Sequence, residues 1–202
     1  MISVSILNIK DDNKKIKVID TINPDYIHID IMDGKFVSNT SEMLNLPLLN
    51  SKKDIHLMVY DVIDYINMYR KYNPEYITFH FEATNNIYSI IDYIHALGIK
   101  AGLSIKPNTD VSLIKDYLDK VDLVLVMSVE PGAGGQSFIP TSEDKINELY
   151  RLREENNYSY VIEVDGGVNL DTKDRCKNAD VLVVGSYITN SDNPKEKYES
   201  IL

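Results

Sequence analysis

Four side chains of the kinds that hold metal ions and carry protons fall within three short apolar runs. His28 and Asp30 lie in Tyr26–Met32, His56 in Ile55–Val59 and Asp165 in Tyr160–Asp165. Strand side chains alternate between two faces. In the first run Ile27, Ile29 and Ile31 share one face, while His28, Asp30 and Met32 share the other. In the second, Ile55, Leu57 and Val59 oppose His56 and Met58; in the third, Ile162 and Val164 oppose Glu163 and Asp165. The polar faces point into one interior. Taken singly, a buried histidine is a hydrogen-bonded core residue and an inward aspartate caps a loop. Taken together, unpartnered groups of this kind would each cost roughly several kcal/mol on burial. A divalent cation held by two imidazoles and two carboxylates removes that difficulty. His80 and Glu82, inward-facing at the end of Tyr76–Phe81, either support the site from behind or cap a loop and read as structural, and His95 reads as exposed on a helix.

Glycines follow the later runs. Glu130-Pro131-Gly132-Ala133-Gly134-Gly135-Gln136 comes after the sixth, Asp165-Gly166-Gly167-Val168 after the seventh and Gly185-Ser186 after the eighth. Glycine lets a backbone approach a ligand closely, and successive N–H groups in such turns make a concavity for anions. One glycine pair is an ordinary tight turn; three in consecutive loops point to a phosphate.

Eight runs supply the strands that must position these groups: Ser3–Leu7, Tyr26–Met32, Ile55–Val59, Tyr76–Phe81, Lys100–Ile105, Leu123–Ser128, Tyr160–Asp165 and Val181–Ser186. Amphipathic stretches between them predict helices over Asp12–Thr21, Asp61–Lys71, Asn86–Leu97, Ser112–Leu118 and Ser142–Asn156, with shorter ones after Met43, Asp171 and Pro194. Asn23-Pro24 and Asn73-Pro74 end a helix and admit a strand. Strands alternating with helices give a parallel sheet, and eight of them favour closure into a (β/α)8 TIM barrel. No linker or shift of composition divides residues 1–202, which read as a single domain.

A net charge of −10 argues against nucleic acid or an anionic membrane as partner, since both need a dense basic patch. The lone Cys176 excludes an intramolecular disulfide and reads as an idle thiol. The N-terminus carries no signal-peptide pattern and no apolar run approaches the ~18 residues that span a bilayer, so the chain reads as cytoplasmic.

Several longer motifs contain these residues: Ser5-Ile6-Leu7, His28-Ile29-Asp30-Ile31-Met32-Asp33-Gly34, His56-Leu57-Met58-Val59, Met127-Ser128-Val129-Glu130-Pro131-Gly132, Gly134-Gly135-Gln136-Ser137-Phe138-Ile139-Pro140 and Glu163-Val164-Asp165-Gly166-Gly167-Val168-Asn169. In order and spacing they resemble the ribulose-phosphate 3-epimerase family from about Ser3 to Ser186. The resemblance implies one divalent ion (Zn, Fe(II), Mn or Co) on His28, Asp30, His56 and Asp165, with acid and base roles for the two aspartates. It implies that Met32, Met58 and Met127 line the reacting centre. It further implies that Ser5, Gly132, Ala133, Gly134, Gly135, Gly166, Gly167, Val168, Gly185 and Ser186 contact a small sugar phosphate. The activity implied is inversion of C3 of D-ribulose 5-phosphate, a step of the pentose phosphate pathway, in a chain that could form a homo-oligomer.

The chain departs from the family pattern at Lys35, Ser38 and Ala133, in the shortened segment Ser41–Lys53 and in its early end at Leu202. These departures bear on substrate choice, loop closure and subunit contacts. Three rival readings remain open: the same chemistry on another ketose phosphate such as allulose 6-phosphate, a related decarboxylase barrel, and a barrel that binds a sugar phosphate without turning it over. The decarboxylase motif Asp-x-Lys-x-x-Asp has Met32 where its lysine should stand.

Overall fold

The computed structural model describes residues 1–41 and 46–202. Eight parallel strands form the sheet: β1 (Ile2–Ser5), β2 (Tyr26–Asp33), β3 (Lys52–Met58), β4 (Tyr76–His80), β5 (Lys100–Ile105), β6 (Leu123–Met127), β7 (Val161–Asp165) and β8 (Val181–Val184). Neighbours in sequence pair with one another, and β1 pairs with both β8 and β2, which closes the barrel. A two-residue strand, Thr40–Ser41, turns back antiparallel onto the end of β2.

The alternation read from the sequence holds. Ile27, Ile29, Ile31, Ile55, Leu57, Ile162 and Val164 are fully buried in the layer between barrel and helices. Against them pack Ile16 and Ile19 of α1 (Asn13–Thr21), Ile66 and Tyr69 of α2 (Val62–Tyr69), Ile90 and Ile94 of α3 (Ile87–Ala96), and Ile146 and Leu149 of α4 (Ser142–Asn156). The Asp12 side chain starts α1 by accepting from the backbone N–H groups of Lys14 and Lys15. Asn23 and Asn73, each before a proline, adopt φ values of 58° and 50°, left-handed conformations that asparagine tolerates.

The barrel interior changes character along its axis. Tyr26, Tyr76, Leu123, Leu125 and Val181 close the end where the strands begin. Register then sets Asp30 beside His56, His28 beside Asp54, Met32 beside Met58 and Met127 beside Asp165. The polar residues therefore stack as layers beneath a rim of methionines.

Some elements differ from expectation. The stretch expected as a helix over Ser112–Leu118 is a 3-10 helix, Val111–Tyr117. Its greater rise per residue lets a short connection cover the strand-to-strand path. The short helix after Asp171 is likewise 3-10, Lys173–Cys176. The one after Pro194 is α6 (Pro194–Ile201), capped by Asn193. After Met43, which lies outside the described residues, Leu46–Ser51 form no helix. Pro47 removes a donor there and steers Leu46 away from helical angles. The last strand stops at Val184 rather than Ser186, and Ser186 opens the short helix α5 (Ser186–Thr189).

Candidate active site

His28, Asp30, His56 and Asp165 meet where β2, β3 and β7 end, each offering one ligand atom within 4.8 Å of the others. The Asp30 carboxylate has one oxygen 3.1 Å from His56 Nδ1 and 3.4 Å from His28 Nε2, and its other oxygen accepts from the Ser5 hydroxyl at 3.0 Å. One Asp165 oxygen stands 3.9 Å from His28 Nε2 and 4.0 Å from His56 Nδ1. Both imidazoles are fully buried, and the two carboxylates face upward into a cavity of about 690 Å³.

Hydrogen bonds from Asp54 on one side and His80 on the other orient the two imidazoles. The Nδ1–H of His28 donates to Asp54 at 2.6 Å, and Ser3 donates to the same Asp54 oxygen at 3.0 Å. That bond turns Nε2 of His28 toward the two site carboxylates, where this buried nitrogen has no hydrogen-bond partner. On the other side His56 Nε2 meets His80 Nε2 at 2.9 Å, and His80 Nδ1 meets Glu82 at 3.1 Å. Burial pushes His80 down to about 4, so it is neutral near pH 7; Glu82 is pulled down to about 2, because the His80, Thr109 and Lys106 hydrogen bonds outweigh its own burial.

The protein's own charges drive the two aspartates apart. Burial raises the Asp165 carboxyl, and the charge of Asp30 raises it further, to about 6. Asp30 feels the same burial, but His28 and His56 hold it far below the usual carboxylate range. His28 rises well above the ordinary imidazole range because Asp54 and Asp30 outweigh the effect of burial. In the protein alone, a proton on His28 partly balances the carboxylates. A divalent cation would displace that proton. The unpartnered Nε2, the two convergent carboxylates and the mixed nitrogen and oxygen donor set fit such an ion.

Ser5, Met32, Met58 and Met127 line the same cavity, as do Gly132, Ala133, Gly134, Gly135, Gly166, Gly167, Val168, Gly185 and Ser186. Every residue read from the sequence as a candidate contact is there, with the two histidines just beneath. Gly167 has φ +64°, and a Cβ on it would collide with the Phe138 backbone nitrogen. Gly132 has φ +115° and lies against Val37, while the Asn39 side-chain amide donates to its carbonyl at 2.8 Å. The loops after β2 and β6 are thus tied together over the cavity. Of the departing residues, Lys35 is exposed and pairs loosely with Asp61 at 3.5 Å, Ser38 is exposed, and Ala133 sits on the cavity wall.

Sequence reasoning missed Asp54 altogether, although it stands two residues before His56 and so shares its face. His80 and Glu82, which the sequence reads as inward-facing and structural with support of the site as the alternative, here reach His56, His80 directly and Glu82 through His80. His95 is exposed as expected, bound to Asp122. Cys176 is buried, and burial pushes its thiol up to about 12, in keeping with an idle role.

Comparison with known proteins gives a family. The family model described as "Ribulose-phosphate 3 epimerase family" matches residues 1–189. The ribulose-phosphate 3-epimerase of Buchnera aphidicola subsp. Acyrthosiphon pisum is 37% identical over 209 residues, covering 100% of this chain and 90% of its own. That of Treponema pallidum (strain Nichols) is 40% identical over 168 residues, covering 80% and 77%. Among solved structures, KGPDC from Streptococcus mutans superposes with a TM-score of 0.68 at 14% identity, covering 99% of this chain and 94% of its own. Mycobacterium tuberculosis tryptophan synthase gives 0.68 at 10%, covering 99% and 90%. Identities this low carry the barrel fold alone.

Proposed function

The chain belongs to the ribulose-phosphate 3-epimerase family, and on that premise we propose that it inverts C3 of a ketose phosphate, D-ribulose 5-phosphate to D-xylulose 5-phosphate. Inverting a carbon next to a carbonyl requires a proton to leave one face and another to arrive on the opposite face. One observation carries the reading: Asp30 and Asp165 bring carboxylate oxygens within 4.8 Å of each other at the floor of one cavity, with unlike proton affinities, Asp30 held far below the usual carboxylate range and Asp165 raised to about 6. An ionised carboxylate is the base and a protonated one the acid, and the two exchange roles with reaction direction.

His28, Asp30, His56 and Asp165 would hold a divalent cation. When bound it would supply positive charge beside the oxygens that become negative as the C3 proton leaves. The donor set suits Zn, Fe(II), Mn and Co. Ser5 donates to one Asp30 oxygen while the other faces the two histidines, which fixes the plane of the carboxylate at the cavity floor. Met32, Met58 and Met127 form a wall that is polarizable, carries no charge and keeps water from the carbanion. The glycine loops after β6, β7 and β8 would take the phosphate through backbone N–H groups, which suits a protein with a net charge of −10. In this reading residues 1–202 act as one domain in the cytoplasm on a small sugar phosphate. No helix among the described residues is long and apolar enough to cross a membrane.

A second reading, the same inversion on a longer ketose phosphate such as allulose 6-phosphate, is favoured by one feature: Ala133 leaves the cavity wall without a bulky side chain. Turnover of both substrates side by side, before and after treatment with a chelator and then with added Zn²⁺, tests both points. The proposal expects ribulose 5-phosphate to be preferred, turnover to stop on chelation and turnover to return with the ion. An undiminished rate in verified metal-free protein would remove the cation from the mechanism; no turnover of either substrate would leave a binding protein.

A further inference from the structure

Two buried imidazoles in contact must agree on where their protons lie. His56 and His80 approach through their Nε2 atoms at 2.9 Å, so one nitrogen donates and the other accepts. At the far side of His80, Nδ1 meets a Glu82 oxygen at 3.1 Å, and a carboxylate can only accept. A proton fixed on His80 Nδ1 leaves Nε2 of the neutral ring as an acceptor. His56 must then donate from its own Nε2, which leaves Nδ1 as the nitrogen that can give up its proton: in the protein alone Nδ1 meets an Asp30 oxygen at 3.1 Å, and a cation bound between Asp30 and Asp165 would take its lone pair.

The surroundings hold the glutamate in this role. Its other oxygen accepts from the Lys106 backbone N–H at 2.8 Å and, through a short bond, from the Thr109 hydroxyl. The loop carrying those two donors is itself clamped by the Lys145 ammonium, which donates to the carbonyls of Lys106 at 3.0 Å, Pro107 at 2.6 Å and Thr109 at 2.5 Å. Phe36 covers the open side of His80 with ring centroids 4.8 Å apart, and His80 is fully buried. Water is kept from the two rings, while the Glu82 carboxylate is partly exposed and is held by its own hydrogen bonds.

We propose that Glu82 and His80 are positioning residues that set the tautomer of His56, so that its Nδ1 is the lone-pair donor offered to a divalent cation. The inference rests on the reading of His56 as a metal ligand and adds two residues that touch neither ion nor substrate. It makes a polarity prediction that simple packing would not. In Glu82→Gln the amide oxygen keeps the Lys106 and Thr109 donors, which turns the NH2 toward His80. That group donates where the carboxylate accepted, reversing every bond in the chain and placing a proton on His56 Nδ1.

The test combines Zn²⁺ affinity, by competition with a chromogenic chelator, with ¹⁵N NMR of the histidine rings in the zinc-loaded protein. Glu82→Gln is expected to bind Zn²⁺ about 10–100-fold more weakly, the range for a lost outer partner of a ligand. Thr109→Val, which loosens the same carboxylate without reversing the chain, is expected to lose less than about tenfold. In the wild-type protein, protons are expected on His80 Nδ1 and His56 Nε2, a reading that needs no variant to fold. Equal Zn²⁺ affinity in Glu82→Gln, an equal loss in Thr109→Val, or an unprotonated His56 Nε2 in the wild type would each overturn the proposal. A wild-type protein that takes up no Zn²⁺ would sink the metal reading and this one with it, whereas uptake matched by Glu82→Gln would sink this one alone.

Discussion

Two carboxylate clusters meet at His28, made of the same residue types and put to opposite ends. Toward the mouth, Asp30 and Asp165 share His28 Nε2 and open into the cavity. Toward the closed end, Asp54 and Glu163 flank the same ring, sealed at 1% exposure each above the Tyr26–Tyr76 floor. The sealed pair sheds one of its charges. Burial and the neighbouring Asp54 charge push Glu163 well above the usual carboxylate range, so it keeps its proton. Asp54 Oδ1 and Glu163 Oε2 are both buried without a hydrogen-bond partner beside the shared His28 ring. The open pair is left with charge that the protein only partly balances. Access, more than residue type, separates a structural carboxylate pair from a chemical one.

Removing either proton carrier gives the sharpest break between the clusters. Asp30→Asn and Asp165→Asn are each expected to lower turnover by at least about 10²–10⁴-fold, the range for a positioned acid or base, with an unchanged circular dichroism spectrum. Full activity in either would contradict the two-base scheme. Asp54→Asn acts one layer down. It replaces the charged acceptor that orients His28 with a neutral amide oxygen, so Zn²⁺ affinity should fall about 10–100-fold in a calorimetric titration while the acid and base stay in place. An unchanged affinity would make Asp54 a packing residue.

Stability should move in the opposite sense from activity. The folded pKa of Asp165 is raised from 3.8 to about 6, so its contribution to stability is present below the lower value and lost as pH rises through the higher. Asp165→Asn removes that loss, and metal-free variant should be more stable than metal-free wild type near neutral pH by up to about 3 kcal/mol in urea unfolding. A destabilised variant would mean that the carboxylate is not under strain. Glu82 shows the reverse sign: its pKa is lowered from 4.5 to about 2, so its stabilisation holds above the first value and fades as pH falls toward the second. Glu163→Gln should do least. Glutamine keeps a donor toward Asp54, so a change beyond about 1 kcal/mol near neutral pH would show that Glu163 is ionised after all.

The open cluster was legible in the sequence because β2, β3 and β7 alternate cleanly. Ile27, Ile29 and Ile31 declare the outer face, and the period of two then fixes where His28 and Asp30 point. Glycine loops carry their own conformational signature, so the cavity wall was legible too. The sealed cluster was not. Asp54 stands in Lys52-Lys53-Asp54, a polar start that reads as a loop, yet the strand begins there because it pairs with Tyr26-Ile27-His28 of β2. The contact between His56 and His80 likewise comes from packing across two strands, which no local pattern encodes. The helix after β5 is legible in place but not in type, since amphipathic spacing alone does not separate α from 3-10 over seven residues.

The most direct measurement is the fate of the C3 proton. Ribulose 5-phosphate incubated with the protein in deuterated water should yield xylulose 5-phosphate carrying solvent deuterium at C3, with the label lost from the product when Asp30 or Asp165 is replaced by asparagine. Epimerised product that keeps its original C3 hydrogen, or labelled product formed by both asparagine variants at the wild-type rate, would contradict proton exchange between two opposed aspartates.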